Sequence, residues 1–169
     1  MSGHSKRSQI KHKKAITDKK KGQVFSRLSR FITIAAKGGP DPSKNQTLAQ
    51  AIERARVENV PKDTIERAIK KAQEKSTELL EEIHVDAIGP GGVAIKIRAI
   101  TNNRNRTIAE LRKILTDHES KMVRAGSIDW MFSAGQIELA DPSVLERLEK
   151  LFYVLDEHDD VEDVNDNLK

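Results

Sequence analysis

Ile83-His84-Val85-Asp86-Ala87-Ile88-Gly89-Pro90-Gly91-Gly92-Val93-Ala94-Ile95-Lys96-Ile97-Arg98-Ala99 is the stretch on which the fold turns. Ile83, Val85 and Ala87 alternate with His84 and Asp86. After Gly89–Gly92, the residues Val93, Ile95, Ile97 and Ala99 line one side and Lys96 and Arg98 the other. A period of two is that of a strand with one buried face, and the glycine-rich tetrapeptide between the runs is a turn. Upstream of this hairpin the apolar period is helical throughout. Downstream, strand and helix patterns follow one another. The chain is therefore α+β, with a helical first part and a sheet-bearing second part.

Downstream, Thr101–Arg106 is a polar loop. Thr107 and Glu110 are spaced as a capping box for a helix with Ile108, Leu111 and Leu115 inward. Ile128, Trp130 and Phe132 suggest a third strand. Ala134-Gly135 turns the chain into a fourth with Ile137 and Leu139. Asp141-Pro142 caps and starts a helix faced by Leu145, Leu148, Leu151, Phe152 and Leu155. A last strand runs near Val161–Val164. From the second strand onward the order is β-α-β-β-α-β, the ferredoxin-like pattern of two helices on one antiparallel sheet. The Ile83–Ile88 strand is an extra one at its N-terminal side and competes for the place beside the central strand.

Upstream, Val24, Phe25, Leu28, Phe31, Ile32 and Ala35 recur at helical spacing, and Gly38-Gly39-Pro40-Asp41-Pro42 ends that helix. Leu48, Ala51, Ile52 and Ala55 mark a second helix, capped by Asn45 or Ser43. Pro61 opens a third, with Asp63 and Glu66 in its first turn and Ile65, Ala68, Ile69 and Ala72 inward. The expected architecture is a three-helix bundle followed by a ferredoxin-like two-layer sandwich. Residues 1–75 are expected to form a helical domain, whose basic charge, set out next, suits nucleic-acid binding, and residues 81–169 a ferredoxin-like α+β domain, with the linker at 73–80.

Charge divides the chain at the same place. Residues 1–75 carry 19 Lys and Arg against 7 acids, and residues 76–169 carry 11 against 19. The first thirty residues hold ten cations and one acid, Asp18. Clustered lysines repel one another unless an anion lies between them, and phosphate backbones are the commonest such anion. The absence of cysteine excludes disulfides and thiolate chemistry and fits a reducing cytoplasm. No apolar run approaches the ~20 residues of a membrane span, and no apolar segment follows the basic N-terminus as a secretory signal requires.

Several separated motifs resemble the YebC/PmpR family. They are Gly3-His4-Ser5-Lys6, Lys11-His12-Lys13-Lys14 with Asp18, Lys19, Gly22 and Phe25, Val60–Ile69, Gly89–Ala94, Asn103–Thr107, Gly126-Ser127 and Leu139–Pro142. The family includes proteins described as transcriptional regulators and ribosome-acting translation factors, among them a mitochondrial translational activator of cytochrome c oxidase. The resemblance implies a non-enzymatic regulator of gene expression that binds DNA or ribosomal RNA. Three departures stand out. The third domain that the family inserts before the last helix is reduced to the short step from Gln136-Ile137 to Leu139. Arg7 stands where the family usually has Trp, and Asn102 where it often has Asp.

The candidate nucleic-acid contacts are Gly3, His4, Ser5, Lys6, Lys11, His12, Lys13, Lys14, Lys19, Lys20 and Lys21 in the arm, and Arg27 and Arg30 on the first helix. To these are added Gly91 and Gly92 in the hairpin turn and Asn103, Arg104, Asn105 and Arg106 in the polar loop. The glycines serve the turn first, and their lack of bulk would also admit a phosphate backbone. They are not a P-loop, since no Gly-Lys-Ser/Thr follows. Trp130 and Phe132 share a face with Ile128 and are expected in the core. The five histidines share no metal-ligand spacing, and the acids from Asp156 to Asp166 lack the order of an EF-hand. No catalytic residue, metal, cofactor, small-molecule substrate or membrane partner is expected. The partner is nucleic acid, ribosomal RNA or DNA, with the ribosome as a possible assembly. An enzyme acting on nucleic acid, or an adaptor using the acidic half to hold a basic protein, are the alternatives of different class.

Overall fold

The computed structural model describes residues 18–74 and 80–169, with side chains from Lys21 onward. Their contacts divide into two units. One holds the helices up to Glu82 together with Ile100–Asn102. The other holds Ile83–Ala99 and Asn103–Lys169.

The helical unit is built from α1 (Asp18–Ala36), α2 (Gln46–Val57) and α3 (Lys62–Lys71). Its core is Leu28, Phe31, Ile32 and Ala35 of α1, Leu48, Ala51, Ile52 and Ala55 of α2, and Ile65 and Ala68 of α3, joined by Val60 and Ile100. The alanines keep side chains short where the helices meet. Asn45 is the cap of α2, not Ser43: its Oδ1 accepts from the Leu48 amide at 3.1 Å. Its Nδ2 donates to the carbonyls of Ala35 at 2.8 Å and Gly39 at 2.9 Å, so one side chain ends α1 and starts α2. The buried Thr33 hydroxyl lies 3.1 Å from the Ala68 carbonyl and ties α1 to α3. Of the expected linker, residues 75–79 lie outside the described residues. Leu80 accepts a hydrogen bond from Lys37 Nζ at 2.7 Å.

The second unit is a four-stranded sheet of β1 (Glu81–Ile88), β2 (Ala94–Thr101), β3 (Lys121–Val123) and β4 (Val161–Asp166), in the order β3-β1-β2-β4. β3 pairs antiparallel with β1 and β4 antiparallel with β2. One face carries α4 (Arg104–Asp117) and α6 (Pro142–Glu157). Val85, Ala87, Ile95, Ile97 and Val164 from the sheet meet Leu111, Leu115, Leu148, Leu151, Phe152 and Leu155 from these helices. Each such side chain, fully buried, is worth about 1.5–3 kcal/mol against exposure. The α+β class and the two-layer arrangement are those the patterns predict.

Three local expectations are corrected. Ile128–Phe132 is not a strand; Asp129–Ser133 is a short helix, α5. Ile128 is buried and Met131 and Phe132 half-buried, a helical i, i+3, i+4 pattern, and the Ala134 amide donates to the Trp130 carbonyl at 2.8 Å. The alternating triplet Ile128, Trp130, Phe132 fits both periods over so short a span. Residues 136–139 are not a strand either. Only Ile137 pairs, in an isolated parallel bridge with Leu168, and Leu139 turns inward onto the core. The missing strand is the three-residue β3. The sheet order resolves the competition for the central place: β1 and β2 are both central, and the last strand takes the free side of β2. Finally, α4 begins at Arg104 rather than after Arg106, with Asn103 as its cap.

Candidate nucleic-acid interface

The expected contacts fall into four groups. Gly3, His4, Ser5, Lys6, Lys11, His12, Lys13 and Lys14 lie outside the described residues. Lys19 and Lys20 fall in the first turn of α1, and their side chains lie outside the described residues. Lys21 is exposed, while Arg27 and Arg30 are half-buried on the flank of α1 beside its apolar stripe. On α3, with Ile65 and Ala68 buried, Lys62, Arg67, Lys70 and Lys71 are all exposed. Lys62 lies 3.7 Å from Glu66 of the same helix, and Arg67 Nε donates to the backbone carbonyl of Asp63 at 3.3 Å. Such exposed pairs add at most a few tenths of a kcal/mol to stability and leave the cations able to exchange partners.

The two glycines have different reasons to be glycine. Both have positive φ, +73° at Gly91 and +77° at Gly92. A Cβ at Gly91 would stand 2.8 Å from Val144 Cγ1 and 3.0 Å from Leu139 Cδ1, so the turn at Gly91 is packed against α6 and the segment before it. A Cβ at Gly92 would meet nothing within 4 Å. Gly92 is thus the one of the pair whose face is open to a ligand.

The Asn103–Arg106 segment is a helix start, not a loop. Asn103 Oδ1 accepts from the Arg106 amide at 3.1 Å. Arg104 and Asn105 are exposed on the first turn. Arg106 instead reaches across the unit: its guanidinium donates to Asp160 Oδ2 at 2.8 Å, and its Nε lies 3.9 Å from Glu110. Asp160 Oδ2 also accepts from the Thr107 hydroxyl at 2.7 Å. The hydrogen bond and charge of Asp160 raise the Arg106 pKa above its ordinary value. His158 completes the network. Its Nδ1 accepts from the Asp160 amide at 3.1 Å, so Nε2 carries the proton and donates to Glu110 at 2.8 Å. Glu110, His158 and Asp160 are spaced closely enough to hold a metal ion. The cation in this cluster is already the Arg106 guanidinium. Arg106 therefore joins the start of α4 to the turn between α6 and β4.

The outer face of the sheet is polar and the sequence patterns did not single it out. His84 and Asp86 of β1, Lys96 and Arg98 of β2, and Asp163 and Asn165 of β4 line a hollow of about 370 Å³, rimmed by Gly126 and Asp129. The 124–133 segment is pinned to this face at two points. Asp86, itself buried, accepts from the Gly126 amide at 2.7 Å, and Lys96 pairs with Asp129. The hydrogen bond to Asp129 raises the Lys96 pKa. Lys96 Nζ also lies 5.3 Å from the centre of the Phe132 ring. Trp130 is not in the core: it is 66 % exposed. No local signal marks it as exposed: on a strand with Ile128, Trp130 and Phe132 inward, Asp129 would fall on the outward face without conflict.

Comparison with known proteins matches both parts of the chain. The TACO1/YebC protein N-terminal domain matches residues 5–75, and the TACO1/YebC second and third domain matches residues 80–146. A probable transcriptional regulatory protein of Geobacter sulfurreducens is 47 % identical over 151 residues, which are 88 % of this chain and 61 % of that protein. One from Dictyoglomus turgidum is 48 % identical over 147 residues, 85 % of this chain and 59 % of its own. The chain thus spans about three-fifths of the length of these relatives. Among solved structures, a conserved hypothetical protein from Aquifex aeolicus superposes with a TM-score of 0.83 at 28 % identity, covering 96 % of each chain. No described helix is long and apolar enough to cross a membrane. With both of its parts matched in order, the chain belongs to the TACO1/YebC family.

Proposed function

We propose that this chain is a non-enzymatic regulator of gene expression that grips structured RNA on the ribosome through its basic helical part. Labour divides between residues 1–75, which meet the polyanion, and residues 81–169. The observation that carries the reading is the surface of α3, where four cations stand exposed while Ile65 and Ala68 are buried. The arm lysines Lys6, Lys11, Lys13, Lys14, Lys19, Lys20 and Lys21 add phosphate contacts, and Arg104 and Gly92 are the candidates from the second part. Lys62, Lys70 and Lys71 present ammonium charges and Arg67 a guanidinium fork, both of which suit phosphate oxygens. A second reading, a DNA-binding transcriptional regulator, is favoured by the names of the bacterial relatives.

Sedimentation of lysate through a sucrose gradient tests the first reading, with the wild type and a triple variant Lys62→Glu, Arg67→Glu, Lys70→Glu compared. The wild type should travel with ribosomes and the variant should not. On purified duplex, losing three phosphate contacts should flatten the slope of log K against log salt by about 2–3. Sequence-selective duplex DNA binding with no ribosome association would establish the second reading instead.

A further inference from the structure

Trp130 is the only tryptophan of the chain, and it is the large side chain that the 124–133 segment leaves outside. The rest of that segment is committed. Ile128 is 1 % exposed, Met131 and Phe132 are half-buried, Gly126 is held by Asp86, and Asp129 by Lys96. With two anchors on the sheet, α5 cannot roll to bury the indole. Its ring is presented to solvent by a fixed helix, one residue on from Asp129, which rims the polar hollow.

The surroundings select the occupant. A tryptophan that anchors a protein partner sits amid apolar, desolvated neighbours. Here the hollow that the neighbouring Asp129 rims is lined with donors and acceptors, among them Arg98, His84, Asn165 and Asp163, and its 370 Å³ lies in the range of small-ligand sites. Exposed Lys121 and Arg124 precede Trp130 on the same stretch of chain, while the three acids of the hollow are already engaged, Asp86 by the Gly126 amide, Asp129 by Lys96 and Asp163 by the Asn165 side chain. A flat π-face beside cations and hydrogen-bonding edges is the combination that holds unpaired bases. We propose that Trp130 is a stacking platform for an unpaired nucleobase of RNA, with the outer face of the sheet receiving the edge of that nucleotide. The inference rests on the RNA-binding reading above and adds a second, single-strand-specific subsite to it.

Trp130 reports on its own occupancy. The full chain is titrated with an unstructured oligoribonucleotide, with a duplex RNA of equal length and with single-stranded DNA. Indole emission and the anisotropy of labelled nucleic acid are followed together. Single-stranded RNA should quench Trp130. Trp130→Ala should weaken that binding roughly 5- to 150-fold, the span of base–aromatic stacking. Trp130→Phe should keep most of it, and duplex affinity should stay unchanged in both variants. Binding of all RNAs with unchanged emission and unchanged affinity in Trp130→Ala would overturn this subsite and leave the basic grip standing. No binding to any nucleic acid would remove both. Quenching by single-stranded DNA alone would overturn the choice of RNA. A shift in emission that vanishes on dilution, with no response to RNA, would identify a second copy of the chain as the occupant and overturn the proposal.

Discussion

Replacing Gly91 by Ala tests whether the hairpin turn is held by its backbone or by its packing. Two costs add. A non-glycine residue at φ +73° carries about 1 kcal/mol of backbone strain. The new methyl would stand 2.8 Å from Val144 Cγ1 and 3.0 Å from Leu139 Cδ1, and such overpacking costs about 1–3 kcal/mol. The expected loss is about 2–4 kcal/mol, which lowers Tm by roughly 8–32 °C for a unit of this size. Gly92→Ala bears the same strain at φ +77° with nothing within 4 Å, so about 1 kcal/mol and roughly 4–8 °C are expected. Calorimetry of both variants reads the difference. In the Gly91→Ala background, Val144→Ala removes the nearest clashing carbon, and part of the loss should return. Equal losses at the two glycines, or no recovery on truncating Val144, would refute the packing argument. If Gly92 also approaches a phosphate backbone, Gly92→Ala should weaken RNA binding beyond what its small stability loss explains.

Arg106→Ala should lower the urea midpoint, because it leaves the buried Asp160 carboxylate without its guanidinium partner. Changing Arg104 and Arg106 together confounds fold with binding, so Arg104→Ala is made alone, with its urea midpoint measured beside its ribosome co-sedimentation. Thr33→Val deprives the Ala68 carbonyl of its hydroxyl partner and should destabilise the helical unit by about 1 kcal/mol, measured by far-ultraviolet circular dichroism. Because the Lys96 pKa is raised in the folded chain, the anchor to Asp129 is fully present below the ordinary lysine value of 10.5 and is lost as pH rises through the higher folded value. Trp130 fluorescence anisotropy should therefore stay flat from pH 6 to about pH 10 and fall above that, and a fall near neutral pH would contradict the anchor.

Long periodic segments were legible because many residues vote for one period. The hairpin from Ile83 to Ala99, the three N-terminal helices and the Leu145–Leu155 face of α6 each repeat their pattern several times. The short elements were not. Ile128, Trp130 and Phe132 are two apart, as in a strand, yet Ile128, Met131 and Phe132 are also i, i+3, i+4. Over five residues, periodicity cannot choose between them. β3 is only Lys121–Val123, and its place is fixed by pairing with Asp86–Ile88 of β1, a partner 35 residues away in the chain. Asn103 was recognised as part of a polar run, but the competing spacing of Thr107 and Glu110 drew the helix start three residues late. Both of those side chains are instead used in the Asp160–His158 network.

The same reasoning explains why the candidate site was half legible. Cation clusters declare themselves in sequence because no core can take them, so the arm stands out at once, whereas the α3 cations, interleaved with Asp63 and Glu66, do not. Arg106 shows the limit of that rule. Its residue type and polar neighbours suit a phosphate contact, but a carboxylate 54 positions away already satisfies it. Trp130 shows the converse. An aromatic between two apolar residues is assigned to the core by default, and only the three-dimensional anchors at Asp86 and Lys96 reveal that its neighbours are held down while it is held out. Charge is thus read locally and reliably, whereas the direction a side chain faces depends on contacts made across the fold. A binding surface that relies on an exposed aromatic among polar groups will be missed wherever the element carrying it is shorter than two turns.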